Sequence, residues 1–383
     1  MPVLIPELDE RTRRLIEESD SRHAAAASLS FEAYRRGRFD ELNEWVRTRK
    51  TVYLDMKYWI WLRDPDRSPF PSETRALRSA LLRGVNTNRL FCPVSYPAFL
   101  ELMRINPPNL RLRQAEIMDE LSVGIAIRNG FDMAEIEFCE FFGRNLPALR
   151  ATPYRVETVW CPVGQMVVEK YPYHDELPAD VMERCRKVML DVMWEKRMTD
   201  YAALEDMPEH PRDTATRVNA ERQSYPRGQQ AFSDLFAAEL NGALDVLYPQ
   251  IEEQLVSVAG IFGIRASAEE RARAGADRHV WINLFREAVT RGLDAKAIPS
   301  LQVRSALHAA IRMDDRRPFR ENDLDDIAHS SVAASYADIF LTERSFSELL
   351  NRSVVQSVIS PSKCRVVSNI SEALAAVATI VTD

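Results

Sequence analysis

The chain has 383 residues, 46% hydrophobic and 28% charged, with a formal net charge of −7 and a pI near 5.6. That is the composition of an ordinary globular protein with a sizeable core, in one large or two modest domains. The negative balance argues against non-specific coating of a long polyanion and leaves room for a local basic groove. Cys92, Cys139, Cys161, Cys185 and Cys364 are isolated and form no CxxC pair, the usage expected of buried thiols in a reducing compartment. The amino terminus, MPVLIPELDERTRRLIEES, is too charged for a secretory signal, and no apolar run reaches the ~20 residues of a membrane span. The expectation is a soluble, cytoplasmic protein.

Glycine is scarce and long stretches have a period near 3.6, so helix should dominate. Residues 1–49 read as a helical amino-terminal extension of two or three helices. Val52, Tyr53 and Leu54 form a short strand that runs into Asp55, and Met56–Leu62 continues as a bulky amphipathic helix in which Trp59 or Trp61 should be core. "DPDRSPFPSE" (64–73) is a loop, with Ser72 the expected N-cap of a helix over 73–83. "RLFCPVS" (89–95) suits one buried parallel strand, and "YPAFLELMRI" (96–105) turns helical. From 112 to 312 the pattern is helices and polar loops, the clearest loop being 205–230. A long helix or two covers 232–262. Near 322, "NDLDDIAHSSVAASYADIFLTERSF" gives helix, strand and turn, and "CRVVSNISEALAAVATI" gives a last strand and a terminal helix.

Strands at 51–54, 90–94, 338–341 and 364–367 alternate with helices, which predicts one parallel α/β sheet with ligands at the strands' carboxyl ends. The acids near those ends are Asp55, Glu101 and Glu343. Asp325 and Asp326 begin the helix before the third strand, where a carboxylate also suits the positive end of the helix dipole. Asp338 precedes the strand and lies ~13 Å from its carboxyl end, as expected of a cap.

In that order, "VYLDMKYWIWL", "PVSYPAFLEL", "DDIAHSSVAASYADIFLTERSF" and "CRVVSNISEALAAVA" resemble the PIN-domain nucleases over about 51–104 and 318–381. The resemblance implies a PIN-like parallel sheet flanked by helices, with residues 50–125 and 300–383 as the nuclease core and 126–299 as a large, mainly helical insertion. It implies four acids around Mg²⁺ or Mn²⁺: Asp55, Glu101, Asp325 or Asp326, and an acid after the "xxxT" strand. That last position is Glu343, followed by Arg344, where the family usually has Asp or Asn; Asp338 is the alternative.

Clustered carboxylates hold hard cations, which activate water for phosphodiester hydrolysis without a covalent nucleophile. The implied activity is an endoribonuclease, with a structure-specific DNA nuclease and a catalytically degenerate interaction protein, docking a partner through the helical insertion, as alternatives. His329, three residues after Asp326, reads as a satisfied structural histidine. The other histidines have no zinc spacing. Lys57 could steer phosphate. Arg312, Arg316, Arg317 and Arg320, with Arg104, Arg111 and Arg113, could form a phosphate track for nucleic acid, RNA before DNA.

Overall fold

The computed structural model describes residues 9–26, 28–145, 158–167, 171–172, 177–204, 214–223, 231–249, 298–314, 317–359 and 363–382. Its centre is a parallel sheet of four strands, β1 (Lys50–Leu54), β2 (Leu90–Phe91), β6 (Ile339–Leu341) and β7 (Arg365–Val367), in the order β2-β1-β6-β7. Val52 pairs with Ile339 and Leu54 with Leu341, so segments almost 300 residues apart in the chain lie side by side. Closing so long a connection is tolerable because loop entropy grows only logarithmically with length.

Strand alternation divides the core. Val52, Leu54, Ile339 and Leu341 face helices Phe31–Arg47, Met56–Arg63, Pro71–Asn86 and Ile370–Thr382. Tyr53 and Phe340 face helices Pro299–Met313, Asp323–Tyr336 and Arg344–Leu350. The central strand residues thus alternate between two buried layers, as the period of two requires, while Lys50 and Arg365 at the strands' amino ends are exposed. Full burial of each large apolar side chain contributes roughly 1.5–3 kcal/mol. Trp59 is fully buried in the first layer and Trp61 partly so.

Several sequence expectations need correction. The run 89–95 is two strands. β2 pairs with β1, whereas β3 (Val94–Ser95) leaves that sheet to pair with β4 (Ile125–Ile127). The break falls at Cys92-Pro93, where proline has no N–H for the ladder. β5 (Trp160–Pro162) adds antiparallel to β4, giving a second, three-stranded sheet in a stretch read as helices and loops. Helix Pro71–Asn86 starts earlier than expected. Pro71 occupies its first turn, no side chain caps it, and Ser72 lies inside the helix; proline's fixed φ and missing N–H suit that first turn.

Within the expected loop 205–230 lies helix Thr214–Gln223. Helix Phe232–Val246 begins where expected, and residues from 250 to 297 lie outside the described ones. The two amino-terminal helices, Glu10–Ala25 and Phe31–Arg47, pack on helix Ala179–Glu195 from the middle of the chain. Among the described residues no helix is long and apolar enough to cross a membrane.

Candidate functional site

The carboxyl ends of β1 and β6 meet through the Asp55 N–H, which donates to the Leu341 carbonyl at 3.0 Å. Asp55 is both the last residue before a helix and its N-cap. Its Oδ1 accepts from the Lys57 N–H at 3.0 Å, and its Oδ2 accepts from the Thr342 hydroxyl at 2.9 Å. Cap and site are therefore not exclusive readings of this residue. The cap bond fixes the carboxylate's direction, and each oxygen keeps a second lone pair.

Helix Asp323–Tyr336 leads directly into β6, so its amino end lies back over the carboxyl edge of the sheet. That separates the two adjacent aspartates. Asp325 turns outward and pairs with Arg104 at 2.7 Å. Asp326 turns inward: burial, then the charges of Asp55 and Glu343, with Glu101 adding and His329 opposing, push its pKa up to about 8. A helix amino end should favour the charged form, so burial and like charges prevail here. Glu343 is exposed and opens helix Arg344–Leu350 without a side-chain cap bond. Arg344 does not neutralise it; its guanidinium pairs with Glu348 at 2.7 Å.

Glu101 arrives from the other side, on helix Tyr96–Met103, and accepts from or shares a proton with His329 Nε2 at 3.1 Å. His329 Nδ1 lies 2.7 Å from the Tyr53 hydroxyl, which lies 2.5 Å from the Ser95 hydroxyl. Burial works against a charged imidazole, yet the Glu101 bond and the charges of Glu101, Asp55 and Asp326 leave the pKa of His329 raised. Tyr53, Ser95 and Thr342 were not read from the sequence as site residues. Their signal is spatial: Tyr53 and His329 are 276 positions apart.

Other candidates stand elsewhere. Asp338 is at the opposite, amino edge of the sheet, where it accepts from the Thr51 N–H at 2.9 Å and pairs with Lys50 at 2.7 Å. Lys57 lies over the Trp61 ring at 4.7 Å. Arg317 is engaged by buried Asp323 at 2.8 Å, Arg312 by Glu239, and buried Arg111 by the carbonyls of Met103, Ala202 and Leu204. These arginines hold the fold together rather than forming an open track. Arg113 and Arg320 are exposed, and Arg316 lies outside the described residues.

Among the described residues, no three His, Cys, Asp or Glu side chains form a ready-made metal cage. Asp55, Glu101, Asp326 and Glu343 are instead an electrostatically coupled group of hard oxygen donors, the donor chemistry that suits Mg²⁺ or Mn²⁺. No protein-family profile, curated protein or solved structure matches the chain.

Proposed function

We propose that the protein is a PIN-like, divalent-metal-dependent phosphodiesterase that acts as an endoribonuclease. The observation that carries this reading is the gathering of Asp326 with Asp55, Glu343 and Glu101, where burial first and then these charges push its pKa up to about 8. Like charges gathered in a partly dry site lower stability, and a divalent cation relieves that repulsion. The metal, when bound, lowers the pKa of a water and offsets charge on the phosphate.

The chain's own residues have distinct tasks in this reading. Asp55 is held rigid by Lys57 N–H and Thr342, and Glu101 by His329. Asp326 and Glu343 have no such fixed partner among the described residues, so they can turn toward a cation without breaking a hydrogen bond. Asp326 gives up its proton as the cation arrives, which makes binding tighter as pH rises toward 8.

The test is calorimetric titration of Mn²⁺ into the wild type and Asp55→Asn, followed by a panel of single-stranded RNA, single-stranded DNA and flapped duplex. The wild type should take up Mn²⁺, lose that uptake in Asp55→Asn, and cut RNA. At a metal concentration near 100 times Kd the stability gain is about 2.7 kcal/mol. Absence of any uptake sensitive to Asp55 overturns the enzyme. Cleavage of flapped DNA alone reassigns the substrate.

A further inference from the structure

The amino-terminal edge of the main sheet carries a cleft of about 320 Å³, lined by Arg47, Arg49, Lys50, Arg89, Trp160 and Asp338 among others. It lies at the other end of β1 from Asp55. Five residues of strand separate the two, roughly 17 Å. Four cations face one anion there, in a chain whose net charge is −7.

Two of the cations have structural explanations. Arg47 grips Glu44 at 2.7 and 2.9 Å, and Lys50 pairs with Asp338. The other two do not pair with any carboxylate among the described residues. Arg49 rests on the Trp45 ring, 3.9 Å from its centroid, and donates to the Trp45 carbonyl and the Thr48 hydroxyl. Among the described residues Arg89 reaches the Ile380 carbonyl, at 3.5 Å.

Each stands one residue before the register pair Lys50–Leu90, so the two arginines enter neighbouring strands side by side. Each arginine ties down a helix end, yet neither charge meets a carboxylate, and a phosphate in the cleft would supply the missing anion. Trp160 lines the same cleft, half-buried and set edge-on against Phe91 at 5.6 Å. An aromatic ring and two arginines without carboxylate partners in one cleft are the groups needed to stack a base while its phosphate is held. The cleft's volume is at the small end of ligand pockets, about 300–1,000 Å³, which fits one nucleotide and not a folded macromolecule.

We propose that this cleft binds a nucleoside monophosphate unit, with phosphate on Arg49 and Arg89 and the base on Trp160. The unit is either a free nucleotide or one residue of a single strand, and the two sources share this chemistry. The site is independent of the acids at the opposite edge and of what they do.

The experiment titrates adenosine monophosphate, inorganic phosphate and a labelled five-nucleotide RNA into the full chain in EDTA, which prevents cleavage. Adenosine monophosphate or the RNA should bind the wild type and Asp55→Asn alike, at least tenfold tighter than phosphate. Arg49→Gln/Arg89→Gln should weaken that binding at least tenfold. Because Arg49 also ties down a helix end, Arg89→Gln alone serves as the variant that folds, with a loss of several-fold; Trp160→Phe should weaken the nucleotide and leave phosphate unchanged. Tighter RNA than mononucleotide identifies a strand as the ligand, and the reverse identifies a free nucleotide. Unchanged nucleotide and RNA affinity in a folded Arg89→Gln, or phosphate binding as tightly as the nucleotide, overturns the proposal.

Discussion

Two acidic residues withdrawn from solvent behave in opposite ways, Asp191, buried in the helical part of the molecule, and Asp326, partly exposed at the sheet's edge. Asp191 receives hydrogen bonds from Ser19 at 2.6 Å, His23 at 3.0 Å and Tyr34 at 2.5 Å, with Arg22 and Arg38 each at 3.6 Å. Burial raises its pKa, but these donors outweigh burial and hold it below the usual carboxylate range. Asp326 is more exposed, yet desolvation and the acids beside it push its pKa up to about 8. Burial alone therefore does not mark a functional acid. What separates the two is whether the fold has supplied donors. Asp191 is fully provided for and ties the amino-terminal helices to Ala179–Glu195, whereas the group around Asp326 is left with unmet negative charge.

The largest expected effect breaks the comparison on the activity side. Asp55→Asn preserves the cap geometry but removes the charge, and should reduce RNA cleavage at least ~1,000-fold, about 4 kcal/mol of transition-state stabilisation. Metal-free stability should hold or rise, because a repelling charge is gone. A variant that cleaves normally while remaining folded would make Asp55 a cap and nothing more. The mirror experiment is Asp191→Ala. It strands Ser19, His23 and Tyr34 in a site where the side chain is 4% exposed, and should cost about 3 kcal/mol in denaturant unfolding without altering kcat. Loss of activity at full stability would place Asp191 in the machinery instead.

Acidity sharpens the same contrast, because the two residues give opposite slopes. Asp326 titrates near 3.8 in the unfolded chain and near 8 in the folded, metal-free protein. Below about pH 4 both states hold the proton and folding bears no penalty. Between about 4 and 8 only the unfolded state releases it, so the contribution to stability is lost as pH rises through the folded pKa. Asp191 has a lowered pKa, so its contribution is present above the ordinary carboxylate pKa and lost as pH falls below it. Glu137, buried and raised to about 7, titrates within the Asp326 window. The informative quantity is thus the difference between wild type and Asp326→Asn. That substitution should raise metal-free stability by about 1–2 kcal/mol at pH 8 and by nothing at pH 4. Equal curves at both pH values would mean that the acids do not share a site.

The main sheet was legible in the sequence because β1, β6 and β7 are short apolar runs that end in a helix start, and Asp55 and Glu343 follow from that pattern; Glu101 was found from the same run, although the strand before its helix belongs to the second sheet. The choice between Asp325 and Asp326 was not legible. Adjacent helix positions point about 100° apart, and which faces inward depends on how the helix lies over the sheet. The second sheet was hidden because Ile125–Ile127 and Trp160–Pro162 are too short to show a period of two, and Pro162 argues locally against a strand. The Tyr53–His329–Glu101 chain and the Asp191 network join residues 150 or more positions apart, and nothing local marks them. Helix Thr214–Gln223 carries little amphipathic pattern, so a polar loop was the natural reading of its residues.

The smallest effects test the two ends of β6, where the acids Asp338 and Glu343 flank one strand. Asp338 is below the strand, bonded to the Thr51 N–H and to Lys50, and half-exposed at 35%. Solvent screens the Lys50 pair, so most of its worth is the backbone bond. Asp338→Ala should therefore cost about 1 kcal/mol in unfolding and leave cleavage unchanged. Glu343 is above the strand, exposed, with no side-chain cap bond and with Arg344 drawn off to Glu348. Glu343→Gln should cost almost nothing in stability yet lower kcat about tenfold, or about 1.4 kcal/mol. The pair is decisive because the two losses fall on different axes. An inactive but stable Asp338→Ala beside a fully active Glu343→Gln would move the site to the amino edge of the sheet, next to the basic cleft, and the acids at the carboxyl edge would then need another explanation for their repulsion.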